Sequence, residues 1–161
     1  MAKEIERKFI IDISQLGELQ SGVEIKQGYI STTNNSTVRI RLSGDKAFLT
    51  LKGENTGATR SEFEYEIPVQ DAKEMLAELC SGPIIDKTRY MVEHCDHTWE
   101  VDIFRGDNEG LIVAEVEMQS ENERVEIPAW VMNEVTGQVK YYNSNLLNNP
   151  FKNWEQEEGV K

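Results

Sequence analysis

Charged side chains recur at every second residue in several segments of the chain, and their types are those that bind metal ions and polyanions. Glu4, Glu6 and Lys8 place two carboxylates and one ammonium on the same face of an extended segment. Carboxylate oxygens are the ligands that hard divalent cations prefer, and such a cation can carry a polyanion into an acidic protein. The same spacing recurs in Arg39 and Arg41, Glu62 and Glu64, Lys87 and Arg89, Glu100 and Asp102, and Glu115 and Glu117.

The elements that carry these charges alternate polar and apolar residues with the period of a β-strand. The pattern predicts strands over 4–9, 37–42, 48–52, 60–69, 86–94, 98–104 and 111–118. Turn residues such as those of 43–45 and 107–110 separate the runs, which indicates an antiparallel series. Helices are predicted over 71–79 and 128–135, and a third over 143–148.

The two faces of the predicted strands distinguish a barrel from a sandwich. Opposite the ionic faces lie apolar ones, such as Val38, Ile40 and Leu42, or Phe63 and Tyr65. A solvated outer face with cross-strand ion pairs would explain any single charged pair. Because the ionic face repeats in strand after strand, we predict a mainly β protein: a closed antiparallel barrel that is charged inside and covered outside by helices.

Composition restricts the class of protein further. The formal net charge is −12, and a nucleic-acid binder needs a surplus of Lys and Arg, so we expect no nucleic-acid partner. No apolar run approaches the roughly 20 residues that span a bilayer, so we expect no membrane partner. Cys80 and Cys95 lack metal-ligand spacing, and no leader sequence is evident. The expectation is one domain over residues 1–161, located in the cytoplasm.

Several separated motifs together resemble one protein family. Besides the Glu4-Ile5-Glu6-Arg7-Lys8 motif they are Gln27-Gly28-Tyr29, Val38-Arg39-Ile40-Arg41, Leu51-Lys52-Gly53, 60–67, Lys87-Thr88-Arg89-Tyr90, Trp99-Glu100-Val101-Asp102 and Ala114-Glu115-Val116-Glu117. Their order from Glu4 to about Leu146 resembles that of the adenylyl cyclase and thiamine triphosphatase (CYTH) family. The resemblance implies a triphosphate tunnel, an eight-stranded antiparallel barrel whose lumen carries acidic and basic side chains.

The resemblance also implies an activity and leaves alternatives open. The chain looks most like the short bacterial inorganic tripolyphosphatases, which implies metal-dependent hydrolysis of tripolyphosphate to pyrophosphate and phosphate. Thiamine triphosphate or nucleoside triphosphates are alternative substrates, and a class IV-type adenylyl cyclase is the alternative reaction, although nothing in the sequence identifies a base pocket. A non-catalytic polyphosphate-binding module is the alternative from a different class. Barrels of this kind can pair through outer apolar faces, so a homodimer is also considered.

The same resemblance assigns roles to the charged residues. Candidate phosphate ligands are Lys8, Arg39, Arg41, Lys52, Arg60, Lys87 and Arg89. The carboxylates would repel phosphates, so their presence in one lumen implies bridging Mg²⁺ or Mn²⁺. Glu4, Glu6, Glu115 and Glu117 are the implied principal metal site, and Glu62, Glu64 and Asp102 are implied to position a second metal, water or the basic residues.

Two further expectations concern the reaction and the end of the tunnel. By resemblance, Lys52 and Tyr29 activate the attacking water, which requires burial or neighbouring cations to favour the neutral amine. The segment from Val135 to Leu146 resembles the family's closing element, in which an arginine commonly precedes the tyrosine. Lys140 takes that place here and is a further substrate-binding candidate. If this segment closes one mouth of the tunnel, the lumen favours a linear polyphosphate over a nucleotide.

Overall fold

Nine strands and one α-helix make up most of the regular structure in the described residues. A computed structural model describes residues 3–54, 56, 58–146 and 149–154. The strands are β1 (Lys3–Ile11), β2 (Val23–Ile30), β3 (Thr37–Ser43), β4 (Lys46–Lys52), β5 (Thr59–Ile67), β6 (Ser81–His94), β7 (His97–Phe104), β8 (Ile112–Glu117) and β9 (Val131–Glu134), and the helix is α1 (Val69–Glu78). The seven strands predicted from alternation are confirmed, and so is the helix predicted over 71–79.

The first eight strands close into an antiparallel barrel, which confirms the predicted fold class. Their order is β5-β4-β3-β2-β6-β7-β8-β1, and pairing of β1 with β5 closes the ring. Strand β1 does this by dividing its length: Lys3–Ile5 pair with β5, and residues 6–10 pair with β8. Closure satisfies strand edges that would otherwise be exposed.

The strand registers bring opposite charges together on the inner face of the barrel. Lys8 lies opposite Glu115 on β8, Lys52 lies opposite Glu62 on β5, and Arg89 lies opposite Asp102 on β7. Directly opposed residues have neighbouring side chains, so each pair of strands delivers an ionic contact to the lumen. The predicted inward orientation of the charged faces is therefore confirmed.

The outer apolar faces are covered by different elements on different sides. Trp99 packs between Phe9 and Trp130, with ring centroids 5.4 and 5.5 Å away. On another side, Ala72 of α1 packs against the faces of β3 and β4. The outer face of β5 has less cover, because Phe63 and Tyr65 remain 43% and 55% exposed. Helical cover of the barrel is thus confined to one side.

The helix predicted over 128–135 is wrong, because this segment contains strand β9. Phe9 of β1 pairs with Glu134, and Ile11 pairs with Val131. The Arg7 guanidinium donates to both carboxylate oxygens of Glu134, at 3.0 and 2.8 Å. The backbone partner of this segment lies at the other end of the sequence, and its local pattern contains no sign of that partner.

The C-terminal segment closes one end of the barrel with apolar side chains. Leu146 and Trp154 pack with Ile85, Phe104 and other inward-facing apolar residues beyond the charged layer. Of the third predicted helix, Asn143–Asn145 form a short 3-10 turn, and residues 147 and 148 lie outside the described residues. None of the helices in the described ranges combines the length and apolar character that crossing a membrane requires.

Candidate functional site: the charged lumen

The barrel encloses a cavity of about 640 Å³ that collects most of the predicted site residues. Of the predicted metal-binding residues, those that line the cavity are Glu4, Glu6, Glu62, Glu64, Glu115 and Glu117. Of the predicted phosphate ligands, those that line the cavity are Lys8, Arg39, Arg41, Lys52, Arg60 and Arg89. Tyr29 lies among them. These side chains come from seven of the eight barrel strands, so the closed fold is what gathers them.

Lys87 and Asp102 lie beneath the lumen surface instead of on it. Lys87 is fully buried and Asp102 is 2% exposed, with 2.8 Å between Nζ and Oδ2. Arg89 donates to both Asp102 oxygens at 2.8 and 2.9 Å. Burial opposes ionisation of Asp102, but Lys87 and Arg89 outweigh it and lower the pKa of that carboxyl. The arrangement makes Asp102 a support for Arg89, which does face the lumen.

The pKa of Lys87 moves in the direction expected of a buried amine. Burial lowers it to about 7, helped by the nearby positive charges of Arg89 and Arg41 and opposed by Asp102. Lys87 Nζ also donates to Asn143 Oδ1 at 3.2 Å. Lys87 is thus tied to the C-terminal segment as well as to β7.

The Lys140 side chain lies against two aromatic rings of the closing segment. Its ammonium lies 4.5 Å from the ring centroid of Trp154 and 5.6 Å from that of Tyr141. Lys140 is not among the described residues that line the lumen. At these distances the ammonium makes cation–π contacts with both rings.

The carboxylates and lysines of the lumen are already paired with each other. Lys52 Nζ lies 3.0 Å from Glu4 and 3.7 Å from Glu62, and Lys8 Nζ lies 3.6 Å from Glu115. The partners of Lys52 come from two strands, Glu4 from β1 and Glu62 from β5. The Lys52 ammonium therefore connects β5 to β1 through these two ion pairs.

A divalent cation fits the carboxylate cluster on the chemistry of its donors. Burial raises the pKa of Glu6 well above its usual range, and the charges of Glu115 and Glu4 raise it further. A cation among these oxygens would relieve that repulsion. No three of the carboxylates in the described part of the chain converge as ready-made metal ligands. Glu4 and Glu115 instead form ion pairs with Lys52 and Lys8.

Two lumen arginines are held by neutral partners and keep their charge available. Arg41 Nε donates to Gln27 Oε1 at 2.8 Å, and Arg60 donates to the Gly53 carbonyl and the Thr37 hydroxyl. Burial lowers the pKa of Arg41 to about 9, and the positive charges of Arg39 and Arg89 contribute. A guanidinium that is buried without a carboxylate is a strong site for a phosphate oxygen.

Several lumen residues were not among those predicted. Glu100 lies 3.3 Å from Arg89, and Thr50 accepts from Arg39 and donates to Glu64. Gln27 contacts both Arg41 and Tyr29. All three sit two residues from a predicted site residue on the same strand face, so the alternation that identified their neighbours could have identified them.

The chain is similar to known proteins along nearly its whole length. The CYTH domain profile matches residues 2–146. An inorganic triphosphatase of Acetivibrio thermocellus is 48% identical over 156 residues, which is 97% of this chain and 100% of that protein. An inorganic triphosphatase of Nitrosomonas europaea is 38% identical over 147 residues, covering 89% of this chain and 95% of that protein.

A solved structure agrees with these sequence matches. The crystal structure of an inorganic triphosphatase superposes with a TM-score of 0.65 and 34% identity, covering 91% of this chain and 95% of the other. Together with the closed barrel and its charged lumen, these similarities establish that this chain belongs to the CYTH family.

Proposed function

We propose that this protein is a triphosphatase that hydrolyses inorganic tripolyphosphate to pyrophosphate and phosphate with a divalent cation. The observation that carries the proposal is the lumen itself. Arginines and lysines from several strands converge with carboxylates in a cavity closed at one end by apolar side chains. A linear polyanion needs multiple fixed cations to leave water, and the barrel holds them in place before the ligand arrives.

The reaction places different demands on the two kinds of side chain. A water oxygen attacks the terminal phosphorus, the bridging P–O bond breaks, and pyrophosphate leaves. Arg39, Arg41 and Arg89 supply guanidinium forks for the equatorial oxygens, where charge spreads in the transition state. The Tyr29 hydroxyl lies on the same surface and is placed to orient the attacking water or a terminal oxygen.

The metal would be held at the acidic side of the lumen. Glu4, Glu6, Glu115 and Glu117 offer only oxygen ligands, which suits Mg²⁺ or Mn²⁺. When bound there, the cation neutralises phosphate charge and polarises the phosphoryl group. The raised pKa of Glu6 supports this assignment, because burial and the charges of Glu115 and Glu4 oppose its ionisation and a bound cation would offset both.

The lining of the lumen favours a small inorganic substrate over a nucleotide. The aromatic side chains that the structure places on its wall are those of Tyr29 and Tyr142. Gln27 donates to the Tyr29 hydroxyl, and Arg60 stacks 6.0 Å from the Tyr142 ring. These contacts with polar and charged side chains are not those of an apolar adenine pocket, which an adenylyl cyclase would require. The names of the two sequence relatives point in the same direction.

Phosphate release from tripolyphosphate, ATP and thiamine triphosphate tests the proposal, each with Mg²⁺, Mn²⁺ or a chelator. We expect metal-dependent release that is greatest with tripolyphosphate, and no cyclic nucleotide from ATP. Equal turnover of ATP and tripolyphosphate would contradict the proposed substrate. Tripolyphosphate binding without turnover in any metal would instead indicate a binding module.

A further inference from the structure

Gln27 is a fully buried amide that joins two residues of the lumen. It lies on β2 with its side chain on the same face as Tyr29, and its exposed fraction is 0%. Its Oε1 accepts from Arg41 Nε at 2.8 Å, and its Nε2 donates to the Tyr29 hydroxyl at 2.7 Å. Arg41 Nε can only donate, so the amide oxygen must face Arg41 and the amide nitrogen must face Tyr29.

This orientation decides which way the Tyr29 hydroxyl bonds. Because its oxygen accepts from Gln27, the hydroxyl proton is left to donate elsewhere. The Tyr29 side chain lines the same cavity as Lys8 and Arg41, so its hydroxyl lies among the lumen cations. The proton is therefore available to an anionic oxygen or to a water in the lumen.

The neutral amide also leaves the charge of Arg41 uncompensated. Arg39, Arg89 and Lys52 each have a carboxylate within 4.0 Å, whereas within the described residues Arg41 forms no ion pair. A glutamate at position 27 could accept the same hydrogen bond, but it would neutralise the guanidinium. The amide thus fixes the direction of the Arg41 side chain and keeps its full charge for a ligand.

We propose that Gln27 is a positioning residue that aims the Arg41 guanidinium and the Tyr29 hydroxyl together at the terminal phosphate of the substrate. One amide fixes the orientation of both Arg41, which binds the phosphate, and Tyr29, which donates to it. The two contacts are therefore made or lost together. The choice of tripolyphosphate as ligand rests on the proposed function above.

Three variants separate this role from simple packing. Gln27→Leu keeps the approximate volume and removes both hydrogen bonds, and Gln27→Glu keeps the acceptor while adding charge. Gln70→Leu, on the exposed face of α1, is the matched control. Tripolyphosphate affinity is measured by calorimetry in chelator, and kcat and KM are measured in Mg²⁺, between pH 5 and pH 8.

We expect Gln27→Leu to weaken tripolyphosphate affinity by about 10- to 100-fold, the range for hydrogen bonds to charged groups. Its kcat falls as well, and that fall is smaller when Tyr29 is already Phe. Gln27→Glu binds tripolyphosphate weakly at pH 8, and its affinity recovers toward that of wild type as the pH falls. The reason is that a protonated carboxyl offers one donor and one acceptor, like the amide. Gln70→Leu behaves as wild type.

Unchanged affinity in Gln27→Glu at pH 8, or equal losses in both Gln27 variants at every pH, overturns the proposal. If Gln27→Leu does not fold, the pH series of Gln27→Glu decides alone. A wild-type protein that binds tripolyphosphate without hydrolysing it would contradict the proposed function. The affinity series would still test Gln27 in that case.

Discussion

At the residue scale, Glu6 shows how the lumen is prepared for a cation at the expense of its own stability. Its pKa is raised by burial and by Glu115 and Glu4, so ionising Glu6 destabilises the folded state. The ordinary Glu pKa is about 4.3, so this penalty grows as the pH rises above that value. We expect Glu6→Gln in chelator to be as stable as wild type near pH 4 and more stable at pH 7, by urea unfolding.

Glu6→Gln also removes a predicted metal ligand, so we expect the activity of the variant to fall although its stability at pH 7 rises. We expect kcat/KM for tripolyphosphate with Mg²⁺ to fall by at least about tenfold, while metal-free tripolyphosphate binding is retained or strengthened. Glu78→Gln on the exposed side of α1 is the control for a charge change without a site. A Glu6→Gln protein that is less stable at pH 7 would contradict the argument from repulsion.

Asp102 carries a second prediction, because two buried cations depend on it. Removing one partner of a buried ion pair costs about 3–5 kcal/mol, so Asp102→Asn should destabilise the protein by about that amount. Adding Lys87→Met removes one of the cations left unpaired and should restore part of the loss. A urea-unfolding cycle of the two single variants and the double variant measures this coupling. Strictly additive losses would show that Lys87 and Asp102 do not act as a pair.

At the element scale, the C-terminal segment determines how deep the lumen is. Leu146 is 2% exposed and packs at the closed end with Ile85 and Phe104. Leu146→Ala should cost about 2–5 kcal/mol and open space next to the charged layer. We expect the kcat/KM of tetrapolyphosphate to rise relative to that of tripolyphosphate. Leu79→Ala, at a 55% exposed position, is the control, and an unchanged ratio would mean that the segment does not limit chain length.

The elements also show which parts of the fold and site were predictable. Alternation predicted seven of the eight barrel strands, all except β2, because each of the seven separates an ionic lumen from an apolar outer layer within its own few residues. Strand β9 was missed because its hydrogen bonds go to β1, far away in sequence. Alternation placed Lys87 and Asp102 on the correct strand face, but it carries no information on how deeply a side chain is buried beneath the lumen surface. Alternation could not place Lys140, because Lys140 lies in a segment without strand periodicity, where it packs against aromatic rings.

At the scale of the whole molecule, the overall negative charge and the individual cations of the lumen have opposite effects on an anionic substrate. The chain carries a net charge of −12, while the inner face of its barrel presents several guanidinium and ammonium groups. A tripolyphosphate anion is therefore repelled at long range and attracted only once it is near the lumen. Salt screens charges over about 10 Å at 0.1 M, so it weakens the long-range repulsion first.

This difference predicts an unusual salt dependence of binding. In chelator, the association rate constant of tripolyphosphate should rise as the salt concentration increases from about 10 to 100 mM, opposite to ordinary electrostatic steering. With Mg²⁺ the ligand carries less charge, so its rate should depend less on salt. Stopped-flow measurements at several salt concentrations test both expectations. A rate that falls with salt in chelator would show that the field of the lumen reaches past the acidic surface, so that the barrel mouth steers the anion from outside.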